Sequence, residues 1–492
     1  MIQDGDEEMN DYRIRQINSY KWEVEMDASR GMRVPGIIFS DQELLEHARR
    51  ENTISQVANV ATLPGIVKAS FAMPDIHFGY GFPIGGVAAF DPEDGGVISP
   101  GGVGFDISCG VRALRSNLSL EDTKDDMENI MSIISYSVPR GLGGKGSTHL
   151  SVKDLERILS GGVKHALKMG YGMAGDEGFI EDNGRMEGAD PAYVSQTAKK
   201  RGSGQLGTLG SGNHFLEIQA VDEVYDEDAA DAFGLFKGQI IIMVHSGSRG
   251  LGHQICSDYI KVMQKASDRY KIHISDRQLA AAPLDSPEGK RYYGAMACAA
   301  NFAMANRHCL AHRVRQALER HMGSSAEKLG LYTLYDISHN IARWEIHEVN
   351  GSKKRLCVHR KGATRAFGPG GSHLPQGYMH IGQPVIIPGD MGTYSFILAG
   401  TEMAMTQSFG STCHGAGRMM SRTRAKKTIN GSQLKLDLER KKGIVVVADS
   451  LKGLAEEAPQ AYKDIESVVN ISTMAGLSRK VARLRPLGVI KG

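Results

Sequence analysis

The sequence contains little cysteine and no C-x-x-C pair. Its six cysteines are scattered through 492 residues, at Cys109, Cys256, Cys298, Cys309, Cys357 and Cys413. That number and spacing exclude a zinc ribbon and a small scaffold held together by disulfides. We therefore expect a protein of a reducing compartment.

Long apolar segments are also missing. No run of about 18 apolar residues is present, so no helix is expected to span a membrane. The first 15 residues are rich in Asp and Glu and have no apolar core, which excludes a signal peptide there. We expect a cytoplasmic protein in which residues 1–15 form an acidic, flexible tail.

Charge of one sign is lacking as well. The chain carries 58 Lys and Arg against 56 Asp and Glu, a net charge of +2. This balance excludes a protein that binds nucleic acid through bulk charge, so any such surface must be local. Residues 353–365 and 418–427 are basic. They are interpreted either as solvated surface or as a path for a polyphosphate backbone.

Glycine, by contrast, is abundant. It occupies 59 of 492 positions, roughly 12% of the chain, whereas glycine averages about 7% of residues in proteins. Many of these glycines lie beside Asp, His, Ser and Asn. With 41% hydrophobic residues the chain can bury a large core. Strand-like and helix-like segments do not alternate. We predict an α+β fold: one large domain over residues 16–492, with mixed or antiparallel sheets surrounded by helices and Gly-rich loops that converge on a central metal site.

Local patterns predict individual elements. Serine followed by an acid within one turn is a typical helix start, and short β-branched runs are typical of strands. Helices are predicted at 40–52, 119–135, 151–169, 257–270, 286–322 and 459–470. Strands are predicted at 239–244, 330–336, 355–358, 384–387 and 443–447.

Several Gly-rich loops carry residues that bind metals. Asp106 and Cys109 lie three apart in PGGVGFDISCGVR, while His214, His245 and His339 lie in NHFLEI, VHSGSRG and YDISHN. Alone, each histidine is more often a core or surface residue. Together they form a mixed S/N/O set. Zinc sites are usually four-coordinate and rich in N and S, whereas the carboxylate also allows Mn²⁺ or a two-metal cluster bridged by the thiolate.

Phosphate chemistry is a second theme. Residues 141–148 (GLGGKGST) resemble a Walker A loop, but Lys145 is followed by Gly146, so a P-loop is rejected. The lysine-nucleophile signature K-x-D-G is absent. His414 in STCHGAGR is the better candidate, because a neutral imidazole can attack phosphorus and hold a nucleotidyl group as a phosphoramidate. The alternative, favoured on this residue alone, is a histidine in a turn.

Seven motifs resemble the RtcB-type RNA ligases, from about residue 59 to residue 492: GGVGFDISCGVR, LGSGNHFLEI, VHSGSRGLGHQ, YDISHNIA, HRKGATRAF, STCHGAGR and LRPLGVIKG. The resemblance implies a tRNA-splicing and RNA-repair ligase. Such enzymes join an RNA 2′,3′-cyclic phosphate or 3′-phosphate end to a 5′-hydroxyl end. They use GTP and two Mn²⁺ ions, and they form a covalent histidine–GMP intermediate.

The resemblance also implies roles for individual residues. The metal ligands are Asp106, Cys109, His214, His245 and His339, with Cys109 bridging the two ions. The residue that takes GMP is His414. Those that contact GTP or GMP are Asn213, Glu217, Asn340, Ser395, Ala416, Gly417, Arg418, Tyr462 and Lys491. Arg249 suits the RNA terminal phosphate, and Asp75 is an acid beside the site with no defined role.

Two other functions use the same residues. A two-metal phosphoesterase or nuclease would activate water with this ligand set, and an RNA-binding accessory protein would perform no covalent step. The expected partners are RNA, such as tRNA halves or other cleaved RNA, and an archease-like activator. We expect a monomer that does not bind membranes. The chain departs from the family pattern at Asp390, and residues 1–57 and 367–378 match it poorly.

Overall fold

The computed structural model describes residues 12–141, 150–371 and 373–492. Most of the predicted acidic tail and most of the Walker A-like segment, Lys145 included, lie outside the described residues. The first strand begins at Ile14, within the last two residues assigned to the tail.

The described parts of the chain contain strands and helices in an irregular order. The strands are β1 (Ile14–Asn18), β2 (Lys21–Val24), β3 (Gly36–Phe39), β4 (Ile66–His77), β5 (Ile84–Phe90), β6 (Val97–Ile98), β7 (Gly110–Arg115), β8 (Phe215–Val224), β9 (Ile240–Ser246), β10 (Ala282–Pro283), β11 (Tyr332–Ser338), β12 (Asn340–Val349), β13 (Ser352–Lys361), β14 (Ala363–Arg365), β15 (Pro384–Ile387), β16 (Ser395–Gly400), β17 (Ser411–Cys413), β18 (Val445–Ala448) and β19 (Ser478–Lys491). The helices are α1 (Gln42–Arg50), α2 (Thr53–Val60), α3 (Leu120–Thr123), α4 (Met127–Ser137), α5 (Val152–Gly161), α6 (Val163–Lys168), α7 (Gln196–Gly202), α8 (Glu227–Phe233), α9 (Arg249–Arg269), α10 (Pro287–Met322), α11 (Glu402–Ser408), α12 (Arg422–Thr428), α13 (Gly431–Lys442), α14 (Leu451–Glu456) and α15 (Ile465–Met474).

Two large sheets organise these elements. The first has seven strands in the order β1-β2-β3-β4-β5-β13-β12, and the second has eight in the order β11-β7-β9-β8-β19-β16-β15. Most pairs are antiparallel, but β3 runs parallel to β4 and β18 runs parallel to β19. The predicted fold class, α+β with mixed and antiparallel sheets, is confirmed.

The eight-stranded sheet is covered on both faces. On β9 the alternation of a strand sends Ile242 and Val244 into one core, which also contains Leu310 of α10. Ile241 and Met243 point into the opposite core, formed with α8 and α13. Because both faces of the sheet are buried, side chains at the ends of its strands are the ones that can reach a ligand.

The longest helix, α10, explains how the interior is filled. Its 36 residues begin at the N-cap Ser286 with Pro287 in the first position, and they end before Gly323 in a left-handed conformation. The alanine-rich middle of the helix combines high helix propensity with small side chains, so neighbouring elements can pack closely around it. No helix in the described ranges is long and apolar enough to cross a membrane.

The predicted elements differ from the observed ones mainly at glycines. The helix at 286–322 and the strand at 384–387 are confirmed nearly residue for residue. The helix at 151–169 is wrong as one unit, because Gly162 with φ of 54° separates α5 from α6. The helix at 119–135 is also two helices, α3 and α4. The helix at 257–270 begins earlier than predicted, at Arg249, and the one at 459–470 begins later, at Ile465.

Candidate metal and nucleotide site

The five predicted metal ligands meet at one end of the eight-stranded sheet. Cys109 directly precedes β7, and His339 directly follows β11. These strands pair so that Gly110 lies opposite Ser338, which brings the two ligands to the same edge. The backbone N–H of His339 donates to the carbonyl oxygen of Cys109 at 2.9 Å.

The neighbouring strands add two more ligands. His245 lies near the end of β9 and pairs with Val111 of β7 on one side and with Phe215 of β8 on the other. His214 immediately precedes Phe215. Strand pairing alone therefore places residues more than 100 positions apart around one point.

Ligand atoms lie close enough to share metal ions. The Sγ atom of Cys109 lies 3.4 Å from Nε2 of His214 and 3.3 Å from Nε2 of His245. Nε2 of His214 is 2.8 Å from Oδ2 of Asp106, and Nε2 of His245 is 3.3 Å from Nε2 of His339. The atoms form two groups with metal-binding spacing, Asp106–Cys109–His214 and Cys109–His245–His339. Cys109 belongs to both.

The backbone around the cluster is constrained. Ser108 has a positive φ of 56°, and its hydroxyl contacts that of Ser338 at 2.8 Å. Asp106 accepts the backbone N–H of Ser248 at 3.1 Å. A Cβ atom on Gly247 would lie 2.3 Å from Oδ1 of Asp106, so only glycine leaves room for that carboxylate.

A buried ionic network lies beneath the cluster. Arg307 of α10 donates to the carbonyl oxygens of Ser108 and Ser246 at 2.8 and 3.1 Å. It also donates to both carboxylate oxygens of Asp336, which accepts from Arg112 at 2.7 Å as well. All three charged side chains are fully buried. This network ties the helix to the segments that carry Cys109 and His245.

Burial also sets the protonation of the ligands. It raises the pKa of the Cys109 thiol, assisted by the negative charge of Asp106. It lowers the pKa of His245 and His339 well below the usual histidine range, so both imidazoles are neutral. Within the described structure, their Nδ1 atoms are buried without hydrogen-bond partners. Neutral imidazoles can coordinate a metal ion directly. A divalent cation at this point would also favour the thiolate form of Cys109, so these side chains suit divalent metal ions.

His414 lies directly beside the group of predicted ligands formed by Cys109, His245 and His339. Its ring centroid is 4.9 Å from that of His339. Nδ1–H donates to Oδ2 of the fully buried Asp75 at 2.5 Å. The same oxygen accepts the backbone N–H of His414 at 2.9 Å. With Nδ1 protonated, the lone pair of the imidazole is on Nε2, which is the form that can act as a nucleophile.

A cavity of about 1210 Å³ opens over the two groups of predicted ligands and His414. It is large enough for a nucleotide with its phosphates. Of the residues predicted to contact nucleotide, those that line it are Asn213, Asn340, Ala416, Gly417, Arg418, Tyr462 and Lys491. Arg249 also lines it, but Glu217 and Ser395 do not.

One wall of the cavity is built around Tyr462. Its hydroxyl accepts from Arg418 at 3.0 Å and contacts Glu457. The guanidinium of Arg418 lies 4.9 Å from the centre of the tyrosine ring. Gly417 adopts a φ of 75°, and a Cβ there would lie 2.3 Å from the carbonyl oxygen of Asp75. The glycine therefore allows the His414 loop to pack against β4.

Glu217 and Ser395 are joined by a third residue. Gln219 donates to Glu217 at 2.6 Å and to Ser395 at 3.0 Å. Ser395 in turn accepts the backbone N–H of Gly389, the neighbour of Asp390, at 3.1 Å. Burial raises the pKa of Glu217 to about 8, and its Oε1 atom has no partner among the residues described.

Asn340, Arg249 and Lys491 mostly contact backbone atoms or a hydroxyl. Asn340 donates to the carbonyl oxygen of Asp106 at 3.2 Å and accepts the N–H of Gly362 at 2.9 Å. Lys491 donates to the carbonyl oxygen of Gly212 at 2.8 Å. Arg249 has a positive φ of 55° and donates to the Thr208 hydroxyl at 3.3 Å.

The basic stretch 353–365 differs from its interpretation as solvated surface. Lys353 and Arg355 are exposed, but Arg360, Lys361 and Arg365 are buried. Solvated surface is therefore wrong for the second half of the stretch, because β13 runs from the surface into the interior. Lys361 lines the cavity, and burial lowers its pKa to about 7.

Sequence patterns assigned no role to the other residues that shape the site. Asp75 could not be assigned a role, because its partner His414 lies 339 positions away. Arg307 and Asp336 were not predicted at all, since nothing in an alanine-rich helix marks one arginine as a support for the strands that carry the predicted ligands. Only the pairing of β7, β9 and β11 reveals that connection.

Comparison with known proteins identifies close relatives. The family model described as "tRNA-splicing ligase RtcB" matches residues 56–492. A "tRNA-splicing ligase RtcB" of Archaeoglobus fulgidus is 52% identical over 479 residues, which cover 97% of this chain and 99% of that protein. One of Methanococcus maripaludis is 53% identical over 461 residues, covering 94% and 95%. An "RNA-splicing ligase RtcB" of Mycobacterium tuberculosis is 50% identical over 439 residues, covering 89% and 100%.

Proposed function

The chain belongs to the tRNA-splicing ligase RtcB family, and from this premise we propose that it joins RNA ends through a covalent GMP adduct on His414. It is an RNA ligase that connects a 2′,3′-cyclic phosphate or 3′-phosphate end to a 5′-hydroxyl end. The observation that carries the proposal is the position of His414. Asp75 binds Nδ1 of His414, so the lone pair of the imidazole is on Nε2, and the ring of His414 packs against His339.

The residues present suit two divalent ions. Asp106, Cys109 and His214 would hold one, and Cys109, His245 and His339 the other, with Cys109 shared. We propose that the ions are Mn²⁺, which accepts imidazole and carboxylate ligands in mixed sets. Bound there, they would neutralise phosphate charge near His414.

The proposed reaction has three nucleotidyl-transfer stages once any cyclic phosphate has been opened to a 3′-phosphate. Nε2 of His414 attacks the α-phosphorus of GTP, forming a P–N bond and releasing pyrophosphate. The RNA 3′-phosphate then attacks the same phosphorus, takes the GMP and frees Nε2. Finally the 5′-hydroxyl oxygen attacks the activated RNA phosphate, so that a phosphodiester forms and GMP leaves.

Asp75 positions the nucleophile throughout. Its carboxylate keeps the proton on Nδ1 and holds the ring in place, and it stabilises positive charge on the imidazole when Nε2 bonds to phosphorus. Because Asp75 is fully buried and also accepts two backbone N–H groups, it cannot easily rotate away.

Guanine recognition is assigned to Glu217, Ser395, Tyr462 and Lys491. A guanine edge carries N–H donors at N1 and N2, and the unpartnered Oε1 of Glu217 is an acceptor of the matching kind. Because Glu217 and Ser395 do not line the cavity as it stands, this contact requires the cavity wall beside them to rearrange. Asn213, Asn340, Ala416, Gly417 and Arg418 are assigned to the phosphates, and Arg249 to the RNA terminal phosphate.

Membership of this family also suggests the partners and the location of the protein. RNA is the macromolecular substrate, either tRNA halves or other cleaved RNA, and an archease-like protein is proposed as an activator. Residues 16–492 are proposed to act as a single catalytic domain in a monomer. The location proposed for this RNA enzyme is the cytoplasm.

Labelled GTP tests the proposal directly. The chain is incubated with Mn²⁺ and α-labelled GTP, and labelled protein is measured after denaturation. We expect a labelled adduct that survives alkali and is lost in acid. The His414→Ala variant should form no such adduct. An adduct that persists in His414→Ala would remove that residue from the mechanism. Labelling from ATP but not GTP would overturn the guanine assignment. RNA cleavage without any adduct would favour the phosphoesterase or nuclease.

A further inference from the structure

Aromatic rings gather on one part of the cavity wall that the proposed chemistry does not use. Phe78, Tyr80, Phe105 and His253 all line the cavity that holds the metal ligands. The ring centroids of Phe105 and His253 are 5.0 Å apart with an interplanar angle of 30°. Tyr80 meets Phe105 edge to face, with centroids 5.4 Å apart. We call these four residues the aromatic wall.

The exposure of these rings differs from that of a packed core. Phe78 is 53% exposed, His253 is exposed, and Tyr80 and Phe105 are half-buried. A cluster of partly exposed aromatic rings lining a cavity, unlike a single exposed one, marks a candidate contact surface for a ligand.

The aromatic wall adjoins the reacting groups. Phe105 directly precedes the metal ligand Asp106, and His253 lies one turn after Arg249 on α9. Lys361 supports the segment that carries Tyr80 by donating to its carbonyl oxygen and to that of Phe82. Arg201 and Arg249 line the same cavity. Aromatic faces beside cations are the usual composition of a surface that binds single-stranded nucleic acid.

The wall is separate from the predicted guanine contacts. In the parts of the chain that the structure describes, no hydrogen bond or ring contact joins the four rings to Glu217, Ser395, Tyr462 or Lys491. At about 1210 Å³ the cavity is larger than a usual small-molecule pocket, so a GMP group and a second base can occupy it together. This is what a ligase needs, because the RNA must reach the nucleotidyl group while it is still bound.

We propose that the aromatic wall stacks an unpaired nucleobase of the RNA at the junction being joined. The proposal rests on the proposed function and adds a binding site to it. Stacking needs no base-specific hydrogen bonds, so this site would accept any base but would require the end to be single-stranded. It would hold the strand while the chemistry at its terminus proceeds.

Abasic RNA ends provide the test. The full-length protein joins a 3′-phosphate strand to a 5′-hydroxyl strand with a base present or absent at the terminal nucleotide of one strand at a time. For each variant we take the ratio of kcat/KM with and without the base. In the unmodified chain we expect a ratio of about 5 to 100 for the strand whose base stacks. We expect this ratio to approach 1 in Phe105→Leu, which keeps apolar volume and removes the ring, and to be restored in Phe105→Trp.

The internal ratio keeps the result interpretable if Phe105→Leu also disturbs the neighbouring Asp106. His253→Ala is a second probe on an exposed side chain. Tyr136→Ala is the matched control, since Tyr136 is 95% exposed and does not line the cavity. Dependence on the 3′-phosphate strand or on the 5′-hydroxyl strand supports the proposal and identifies which strand stacks. Equal ratios in the unmodified chain and in Phe105→Leu overturn it. Failure of the unmodified chain to form a GMP adduct would overturn the proposed function instead.

Discussion

Oδ2 of Asp75 lies 2.5 Å from Nδ1 of His414 and also accepts the backbone N–H groups of His414 and Gly415. One oxygen thus fixes the ring, its tautomer and the loop that carries it. The two residues come from different elements, β4 and the segment after β17. A nucleophile held this way needs no rearrangement before it attacks phosphorus.

Asp75→Asn is expected to slow GMP transfer to His414 by about 10²- to 10⁴-fold. The amide cannot stabilise the imidazolium, and it favours the wrong tautomer by offering an N–H. Because Asp75 is fully buried and does not line the cavity, the half-saturating GTP concentration should change little. The measurement is the rate of labelled adduct formation at saturating GTP. Asp94→Asn, at an exposed acid, is the control, and a rate near that of the unmodified chain in Asp75→Asn would exclude the positioning role.

Cys109→Ala is expected to remove both metal ions, whereas His339→Ala should remove only one. The reason is that Cys109 belongs to both groups and His339 to a single one. Metal content after equilibration with Mn²⁺ and desalting distinguishes these outcomes. Cys298→Ala, at a buried cysteine of the α10 core, is the control. Full metal content in Cys109→Ala would rule out a bridging thiolate.

GTP affinity is expected to fall as the pH drops below about 8, the value to which burial raises the pKa of Glu217. The carboxylate can accept from both N1–H and N2–H of guanine, whereas the protonated acid offers an O–H donor in place of one acceptor, so protonation competes with binding by up to about tenfold per pH unit. Adduct formation measured against GTP concentration at several pH values gives the profile. Glu217→Gln should weaken binding and flatten the profile. An unchanged slope in that variant would assign the titration to another group.

The same carboxyl predicts a stability trend. Its pKa in the folded chain lies above its ordinary value of 4.5, so the folded state binds the proton more tightly than the unfolded state. The contribution is complete below about pH 4.5 and is lost as the pH rises towards about 8. Urea unfolding of Glu217→Gln across this range should show a smaller decline than the unmodified chain.

Arg307→Met is expected to lower the free energy of unfolding by about 3–5 kcal/mol, because it leaves part of the Asp336 charge buried and uncompensated. Metal affinity should fall as well, since Arg307 holds the carbonyl groups of Ser108 and Ser246. Arg269→Met breaks an ion pair with Glu288 in which the arginine side chain is 67% exposed. That control should cost about 0–1 kcal/mol. Equal losses in the two variants would contradict a special role for the buried network.

Local sequence patterns predicted elements best where packing agrees with propensity. The alanine-rich α10 and the β-branched β15 appear nearly as expected, because their side chains fit both the local conformation and the core. The start of α9 was missed, since Gly250 and Gly252 disfavour a helix. In the structure a Cβ on Gly252 would lie 1.8 Å from Oγ of Ser248, so close packing requires the residue that propensity penalises.

The ligand set was predictable as residue types in Gly-rich loops, and the family resemblance implied that Cys109 bridges two ions, but local patterns alone do not contain this geometry. That Cys109 serves two groups depends on the pairing of β7 with β9 and β11, which no local pattern contains. The contact between Asp75 and His414, the burial of Lys361 and the aromatic wall likewise depend on long-range packing. The kinds of chemistry could be inferred from the residue types in these loops. Which residue contacts which partner depends on the fold.

The position of β19 has a consequence for the newly made protein. This strand lies between β8 and β16 inside the eight-stranded sheet, yet residues 478–491 follow every other strand of the site in the chain. During translation the ribosome therefore releases Cys109, His245, His339 and His414 well before the strand that closes the sheet beside them. Partly synthesised chains that lack β19 would carry these side chains without their final alignment, so that catalytic competence appears only after residues 478–491 have been added.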